Sequence, residues 1–160
     1  MRWFVVLALI TAAPGVVCAV RAPRLDPRFR FLVRDSARIF SGEVLKVEHL
    51  NLDARGLPAV TRITFKVERA IRGVRHGQVV QVNEWQGLWN AGERYQAGEH
   101  VLLFLYPPSK LGLTSPVGGA AGRFRMDDAG RVILSEESGP HTKAVPVRTF
   151  LGAIRGAVKD

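Results

Sequence analysis

The sequence predicts a small, mostly β domain: a five-stranded barrel of the OB type, with Greek-key order and a short helix at each end. Thr61 to Gly73 alternates apolar and polar side chains with the period of two that is typical of a half-buried strand. His100 to Tyr106 is apolar on both faces, which is typical of a strand inside a sandwich or barrel. In Arg38 to His49 the apolar face changes at Val44-Leu45, and such a change indicates a bulge or a strong bend of the kind small barrels need.

The first nineteen residues are predicted to be a secretory signal peptide and not part of this domain. Arg2 gives a short positive segment, Trp3 to Ile10 an apolar segment, and small residues precede an expected cleavage after Ala19. Pro14-Gly15 interrupts the apolar run, whereas a membrane span needs about 20 unbroken apolar residues. We therefore expect a periplasmic or secreted protein without a transmembrane span, and an uncleaved anchor or a lipoprotein cleavage at Cys18 are the alternatives.

Composition and charge limit the number of domains, the reactions and the kinds of partner that the chain is expected to have. The chain has 160 residues, 47% hydrophobic and 23% charged, which is room for about one globular domain. Its single cysteine lies in the predicted signal peptide, so redox and thiol chemistry are not expected. A formal charge of +9 favours polyanionic partners such as anionic lipid or acidic wall polymer, although it also serves simply to keep an exported protein soluble.

The segment from 20 to 36 is predicted to be basic and to end in a short amphipathic helix. Asp26-Pro27 is typical of an N-cap followed by a first-turn proline. Phe29, Leu32 and Val33 then have the spacing of one helical stripe. We expect this stripe to dock on the barrel while the arginines face solvent.

The domain itself is predicted to span 37–134, followed by a loop and a C-terminal helix over 135–160. The polar stretch Asn51 to Pro58 favours an antiparallel hairpin between the first strand and the Thr61 strand. The remaining expected elements are a third strand at Gln78 to Asn83, a long connection at Glu84 to Gly98, a loop at Ser109 to Gly122, a last hairpin at Arg123 to Leu134 turning at Gly130, a polar loop at Ser135 to Thr142, and a helix at Val145 to Val158.

A set of core positions also resembles a known family. These are Ala37, Phe40, Gly42, Val44, Phe65, Val67, Gly73, Val80, Val82 and Gly98-Glu99 leading into Val101 to Leu105. The pattern, from about Asp35 to Leu134, resembles netrin-like domains, the OB-folds of tissue inhibitors of metalloproteinases and of many small secreted bacterial proteins. The animal inhibitors chelate a protease zinc through an N-terminal cysteine, and no cysteine would survive here. The resemblance therefore implies a fold, while the similar bacterial proteins are largely of unknown function.

No assembled catalytic or metal-binding motif is recognisable in the sequence. The four histidines, His49, His76, His100 and His141, lack metal-ligand spacing. The glycine-rich run 118–122 is not followed by GK[ST], no serine lies in a GxSxG elbow, and the paired acids Asp127-Asp128 and Glu136-Glu137 fall in predicted turns. We expect no enzyme activity, cofactor or metal, and a hydrolase site assembled from scattered residues is the less favoured alternative.

The aromatic connection supplies the candidate binding residues. Trp85, Trp89 and Tyr95, together with Arg69, Arg72, Arg75 and Arg94, would form a stacking-plus-charge surface at the barrel rim. In the alternative interpretation both tryptophans plug the end of the barrel as core. Export argues against nucleic acid as the partner.

These observations predict an exported, non-enzymatic binding module that contacts a protein or another envelope component through the barrel rim. The alternative is a basic adaptor that binds acidic envelope polymer or lipid head groups by charge. Ligand identity and oligomeric state are not predicted.

Overall fold

The computed structural model describes residues 27–50, 59–91, 95–135 and 142–159, and within them it has two α-helices and seven strands. They are α1 (Pro27–Asp35), β1 (Arg38–Leu50), β2 (Val60–Arg72), β3 (Val79–Trp85), β4 (His100–Leu105), β5 (Arg123–Arg125), β6 (Arg131–Ser135), β7 (Thr142–Pro146) and α2 (Val147–Lys159), with short 3₁₀ helices at Gln86–Ala91 and Gly119–Gly122. The predicted mostly β class with two helices is confirmed. The predicted signal peptide and the 51–58 turn lie outside the described residues.

Five strands form one antiparallel sheet in the order β3-β2-β1-β4-β5, and β6 pairs with β7 in a separate sheet of two strands. The predicted hairpin between β1 and β2 is confirmed, and β4 lies between β1 and β5 inside the sheet. The predicted closed barrel is not found, because no pairing between β3 and β5 occurs in the residues that the structure describes. The short β5 pairs only with β4, over Arg123 to Arg125.

The predicted bulge in β1 is present. Val44 pairs with Phe65 and Lys46 with Thr64, so Leu45 is an extra residue in the ladder and is 42% exposed. Because the bulge shifts the alternation by one residue, Val47 returns to the side of Val44 and packs against the same core. The bulge therefore brings Val47 to the inner face with Val44 and leaves Leu45 in solvent.

The sheet separates two hydrophobic cores. Alternate residues of β4 serve each of them: Val101, Leu103 and Leu105 pack with Phe40 and Phe65 on the inner side. Leu102 and Phe104 pack on the other side with residues of both helices. A strand with apolar side chains on both faces is therefore buried on both faces, as its sequence predicts.

Both helices use the predicted stripes to cover the second core. Leu32 and Val33 of α1 are buried there, as are Phe150, Leu151 and Ile154 of α2. Rings from the two helices and β5 meet edge to face, which fixes the helices against the sheet.

The C-terminal part differs from the expectation in one element. The turn of the last hairpin is confirmed, since the Asp127 N–H donates to the Arg131 carbonyl (3.0 Å) and Gly130 has φ 69°. Beyond it, β7 occupies Thr142–Pro146, where the sequence predicted a polar loop running into a helix. This segment is a strand because its backbone pairs with β6, and its own sequence does not indicate that pairing.

Candidate functional site

Trp85 is the last residue of β3, and its indole is 53% exposed. The ring lies over Gly87: a Cβ at that position would be 2.5 Å from the ring carbons Cη2 and Cζ2. Only glycine therefore allows the 3₁₀ turn to fold back under the indole without displacing it. The result is an exposed aromatic side chain with a supported position, and the prediction that both tryptophans form a core plug does not hold for Trp85.

A shallow, largely open groove of about 220 Å³ lies beside this indole, between the end of β3 and the loop that follows β4. Its lining is uncharged, and apolar side chains make up most of it. The lining residues are Trp85, Leu88, Tyr106, Pro107, Ser109, Leu113, Thr114 and Ser115.

Hydrogen bonds hold the far wall of the groove in place. The Thr114 N–H donates to the Asn83 carbonyl of β3 (2.9 Å), and the Thr114 hydroxyl donates to the Tyr106 carbonyl (2.7 Å). The Ser109 hydroxyl accepts a bond from the Leu113 N–H (3.2 Å). Because these polar groups are hydrogen-bonded within the protein, the groove offers a partner mainly apolar surface.

Tyr95 lies in the inner core and not on the rim. It is 6% exposed, its ring packs edge to face on Phe65, and its hydroxyl donates to Glu84 Oε1 (3.2 Å). Burial raises the pKa of the Tyr95 phenol well above its ordinary value, and the neighbouring Glu84 carboxylate raises it further. Tyr95 is thus a neutral hydrogen-bond donor to a buried carboxylate.

An ion-pair network continues from Tyr95 toward β5. The buried Arg123 guanidinium lies 4.4 Å from the centroid of the Tyr95 ring, and its Nη2 bonds both Glu99 carboxylate oxygens at 2.9 Å. The exposed Arg125 adds a contact of 3.1 Å to Glu99 Oε1. The network pairs the buried charge of Arg123 with the Glu99 carboxylate.

The structure does not bring the predicted arginines to the aromatic side chain. Trp85 pairs with Val60 at one end of β2, whereas Arg69 and Arg72 lie nine or more residues further along, about 30 Å at the rise of a strand. The exposed Arg75 follows the end of β2. Among the side chains that the structure describes, Arg69, Arg72 and Arg75 therefore do not form one surface with Trp85.

Arg72 has a structural contact of its own. Its guanidinium donates to the carbonyls of Val33 (2.6 Å) and Ser36 (3.1 Å), at the C-terminal end of α1. A cation at this position satisfies carbonyls that the helix leaves unbonded. The side chain of Trp89 and all of Arg94 lie outside the described residues.

The groove wall from Tyr106 to Ser115 was not among the predicted site residues. The sequence did mark its start, since Pro107-Pro108 ends β4. What it could not indicate is that this loop returns to the edge of β3 at Asn83, a contact between residues 31 positions apart.

Two of the histidines that the structure describes contact Glu68, and the third contacts Thr61. The Nδ1 atom of His100 lies 3.1 Å from Glu68 Oε1, His76 Nδ1 lies 2.6 Å from the Glu68 carbonyl, and His49 Nδ1 lies 3.1 Å from the Thr61 hydroxyl. Within the described ranges, no three His, Cys, Asp or Glu side chains are grouped as metal ligands. His141 lies outside those ranges.

No protein-family model matches the chain, and no curated protein or solved structure is significantly similar to it. Among the described helices, none has the length and apolarity to cross a bilayer.

Proposed function

We propose that the chain is an exported, non-enzymatic binding module with an OB-type, netrin-like sheet, and that it holds an apolar side chain of a protein partner in the groove beside Trp85. The order β3-β2-β1-β4-β5 supports the OB-type assignment, because it is the order of an OB barrel opened between β3 and β5. OB barrels are commonly partly open.

The observation that carries the proposal is the half-exposed Trp85 indole, supported by Gly87, at the edge of an uncharged groove. Tryptophan is strongly enriched at the centres of protein interfaces, where a few residues carry most of the binding energy. Contact between the indole and the Gly87 backbone would reduce the entropy that the side chain loses when a partner covers it.

The size and charge of the groove favour a protein side chain over the other ligand classes. Its volume of about 220 Å³ is below the roughly 300–1,000 Å³ of small-molecule sites. No charged side chain lines it, although the chain carries a formal charge of +9. A polyanion would gain nothing from such a lining, whereas an apolar anchor would.

The test is the Trp85→Ala variant, with partners captured from an envelope extract and their affinity then measured. We expect a loss of about 2 kcal/mol or more in binding, which is typical of a central tryptophan, and an unchanged fold because the side chain is half exposed. Leu45→Ala is the matched control, since Leu45 is similarly exposed on the β1 bulge, away from the groove. Undiminished binding by Trp85→Ala, or its unfolding, would contradict the proposal.

A basic adaptor is the second candidate, and the net charge favours it. It would bind an acidic polymer or anionic lipid through exposed cations, so its affinity would fall steeply as salt rises from about 50 to 500 mM. Contact through the groove would change little over the same range. Measuring the captured complex at both salt concentrations separates the two functions.

A further inference from the structure

The outer edge of β3 can be assigned from its hydrogen bonds. The Gln78 carbonyl accepts from the Val67 N–H and the Gln86 N–H donates to the Ala59 carbonyl, both at 2.9 Å, so even-numbered residues bond toward β2. The bonding direction alternates along an antiparallel strand. Val79, Gln81 and Asn83 therefore point their N–H and C=O groups away from β2.

At Asn83 this outward edge is already occupied by the chain itself. Leu113 bridges to Asn83 in parallel orientation, and the Thr114 N–H donates to the Asn83 carbonyl. No backbone group in the described ranges pairs with the outward groups of Val79 or Gln81. Two residues of edge are thus open, directly beside a position where an extended segment sits.

The loop at Asn83 shortens the open edge to two residues, but these two carry none of the side-chain features that usually protect an edge strand. Val79 is 58% exposed, Gln81 is exposed and uncharged, and β3 pairs with β2 without a register shift. Natural edge strands are commonly protected by charged side chains, proline or a bulge, because unpaired backbone groups recruit other strands.

We propose that the edge at Val79 to Gln81 accepts an extended segment of the partner protein, which adds a strand beside β3. Unpaired backbone donors and acceptors in strand geometry are satisfied by another extended backbone, and the loop residues at Asn83 are an intramolecular example. The inference rests on the proposed function, because it describes how the same partner binds next to Trp85. The open edge and the groove lie on one strand, four residues apart.

Gln81→Pro tests the backbone directly. The Gln81 N–H is not used by the sheet, and proline is tolerated at an edge where the N–H faces solvent, so the fold is expected to remain. The probe is a set of linear ten-residue peptides, selected from a phage-displayed library on the purified protein and then synthesised. We expect these peptides to bind Gln81→Pro at least about tenfold more weakly, since proline removes a donor and blocks the approach of a strand.

Gln81→Ala is the matched control, because it removes the side chain but keeps the N–H, and it should bind as the unmodified protein does. Amide hydrogen exchange gives a second measurement on the unmodified protein. Bound peptide should slow exchange at the Val79 and Gln81 amides and leave the already bonded Val80 and Val82 amides unchanged. Absence of that slowing, equal binding by Gln81→Pro, or failure to select any peptide would overturn the inference.

Trp85→Ala separates this inference from the proposed function. If Trp85→Ala binds weakly and Gln81→Pro binds normally, the added strand is excluded and the groove remains the proposed site. If Gln81→Pro binds weakly and Trp85→Ala binds normally, the β3 edge remains the proposed site and the groove is excluded. Normal binding by both variants removes both.

Discussion

At the scale of single residues, Trp85 and Gly87 act as a pair. An exposed indole can adopt several rotamers, but here the backbone at Gly87 approaches the ring closely and supports one position. The binding role proposed for Trp85 therefore depends on a residue without a side chain. Conversely, the predicted rim residue Tyr95 is core, where its hydroxyl has a fixed partner in Glu84.

Gly87→Ala should displace the Trp85 indole, because the added Cβ would lie 2.5 Å from two ring carbons. We expect weaker partner binding, in the direction of Trp85→Ala, with stability changed by less than about 1 kcal/mol since the ring is half exposed. The shift of the Trp85 indole N–H proton in NMR spectra reports the displacement. Gly152→Ala is the control, because a Cβ there meets nothing within 4 Å. An unchanged Trp85 indole signal in Gly87→Ala would show that the backbone at Gly87 does not hold the ring in position.

At the scale of the element, the turn between β5 and β6 depends on Asp127. Its carboxylate accepts the N–H groups of Ala129 (3.1 Å) and Arg131 (2.9 Å) and contacts the Arg131 guanidinium at 2.7 Å. The hydrogen bond from the Arg131 backbone, with smaller contributions from its side chain and from Ala129, lowers the pKa of Asp127 below its ordinary value. The charged form is thus the one that the folded turn prefers.

Asp127→Ala should destabilise the hairpin at neutral pH and much less in acid. Because the folded pKa is lowered, the stabilisation is present above the ordinary pKa of about 3.9 and is lost as pH falls through the lower folded value. Urea midpoints of the unmodified protein and the variant should differ at pH 7 and converge near pH 2. Asp128→Ala, at the exposed neighbouring position, is the matched control and should leave the urea midpoint at pH 7 close to that of the unmodified protein. A difference between Asp127→Ala and the unmodified protein that persists in acid would contradict the assignment.

The elements that could be predicted are those whose own side chains carry the pattern. The β1 bulge followed from the change of apolar face at Val44-Leu45, and α1 and α2 followed from their apolar stripes. β7 could not be predicted, because Thr142–Pro146 has little apolar alternation and is a strand through its pairing with β6. The groove could not be predicted for a related reason. It forms only because the loop at Leu113 contacts β3 at Asn83, and the local sequence does not indicate a contact between residues so far apart in the chain.

At the scale of the whole molecule, the side of the sheet between β3 and β5 is joined by side chains and not by a backbone ladder. Glu84 on β3 accepts a hydrogen bond from Tyr95, whose ring lies against Arg123 on β5, and Arg123 pairs with Glu99. In the described residues β3 and β5 are not paired by backbone hydrogen bonds, but these side-chain contacts connect them through the interior. The backbone edge of β3 stays available, which the added-strand inference requires.

Tyr95→Phe tests this connection, because it removes the donor and leaves the buried Glu84 carboxylate without that hydrogen bond. We expect a loss of about 1 kcal/mol in the free energy of unfolding at pH 7, which is typical of the removal of one buried hydrogen bond. Burial raises the folded pKa of Tyr95 above its ordinary value of 10.0, so its stabilisation is present below pH 10 and declines as pH rises further. The difference between the unmodified protein and the variant should therefore stay constant up to about pH 10 and shrink only as the pH rises above it.

Urea unfolding from pH 7 to above pH 10 measures the difference, with Tyr106→Phe, at a half-buried tyrosine on the other side of the sheet's β4 end, as the control substitution. Equal stability of Tyr95→Phe and the unmodified protein at pH 7 would mean that the side-chain connection contributes nothing to the sheet. The expected loss would instead mean that the hydrogen bond from Tyr95 to Glu84 helps to hold β3 to the interior, on the side where no β3–β5 pairing occurs in the residues that the structure describes.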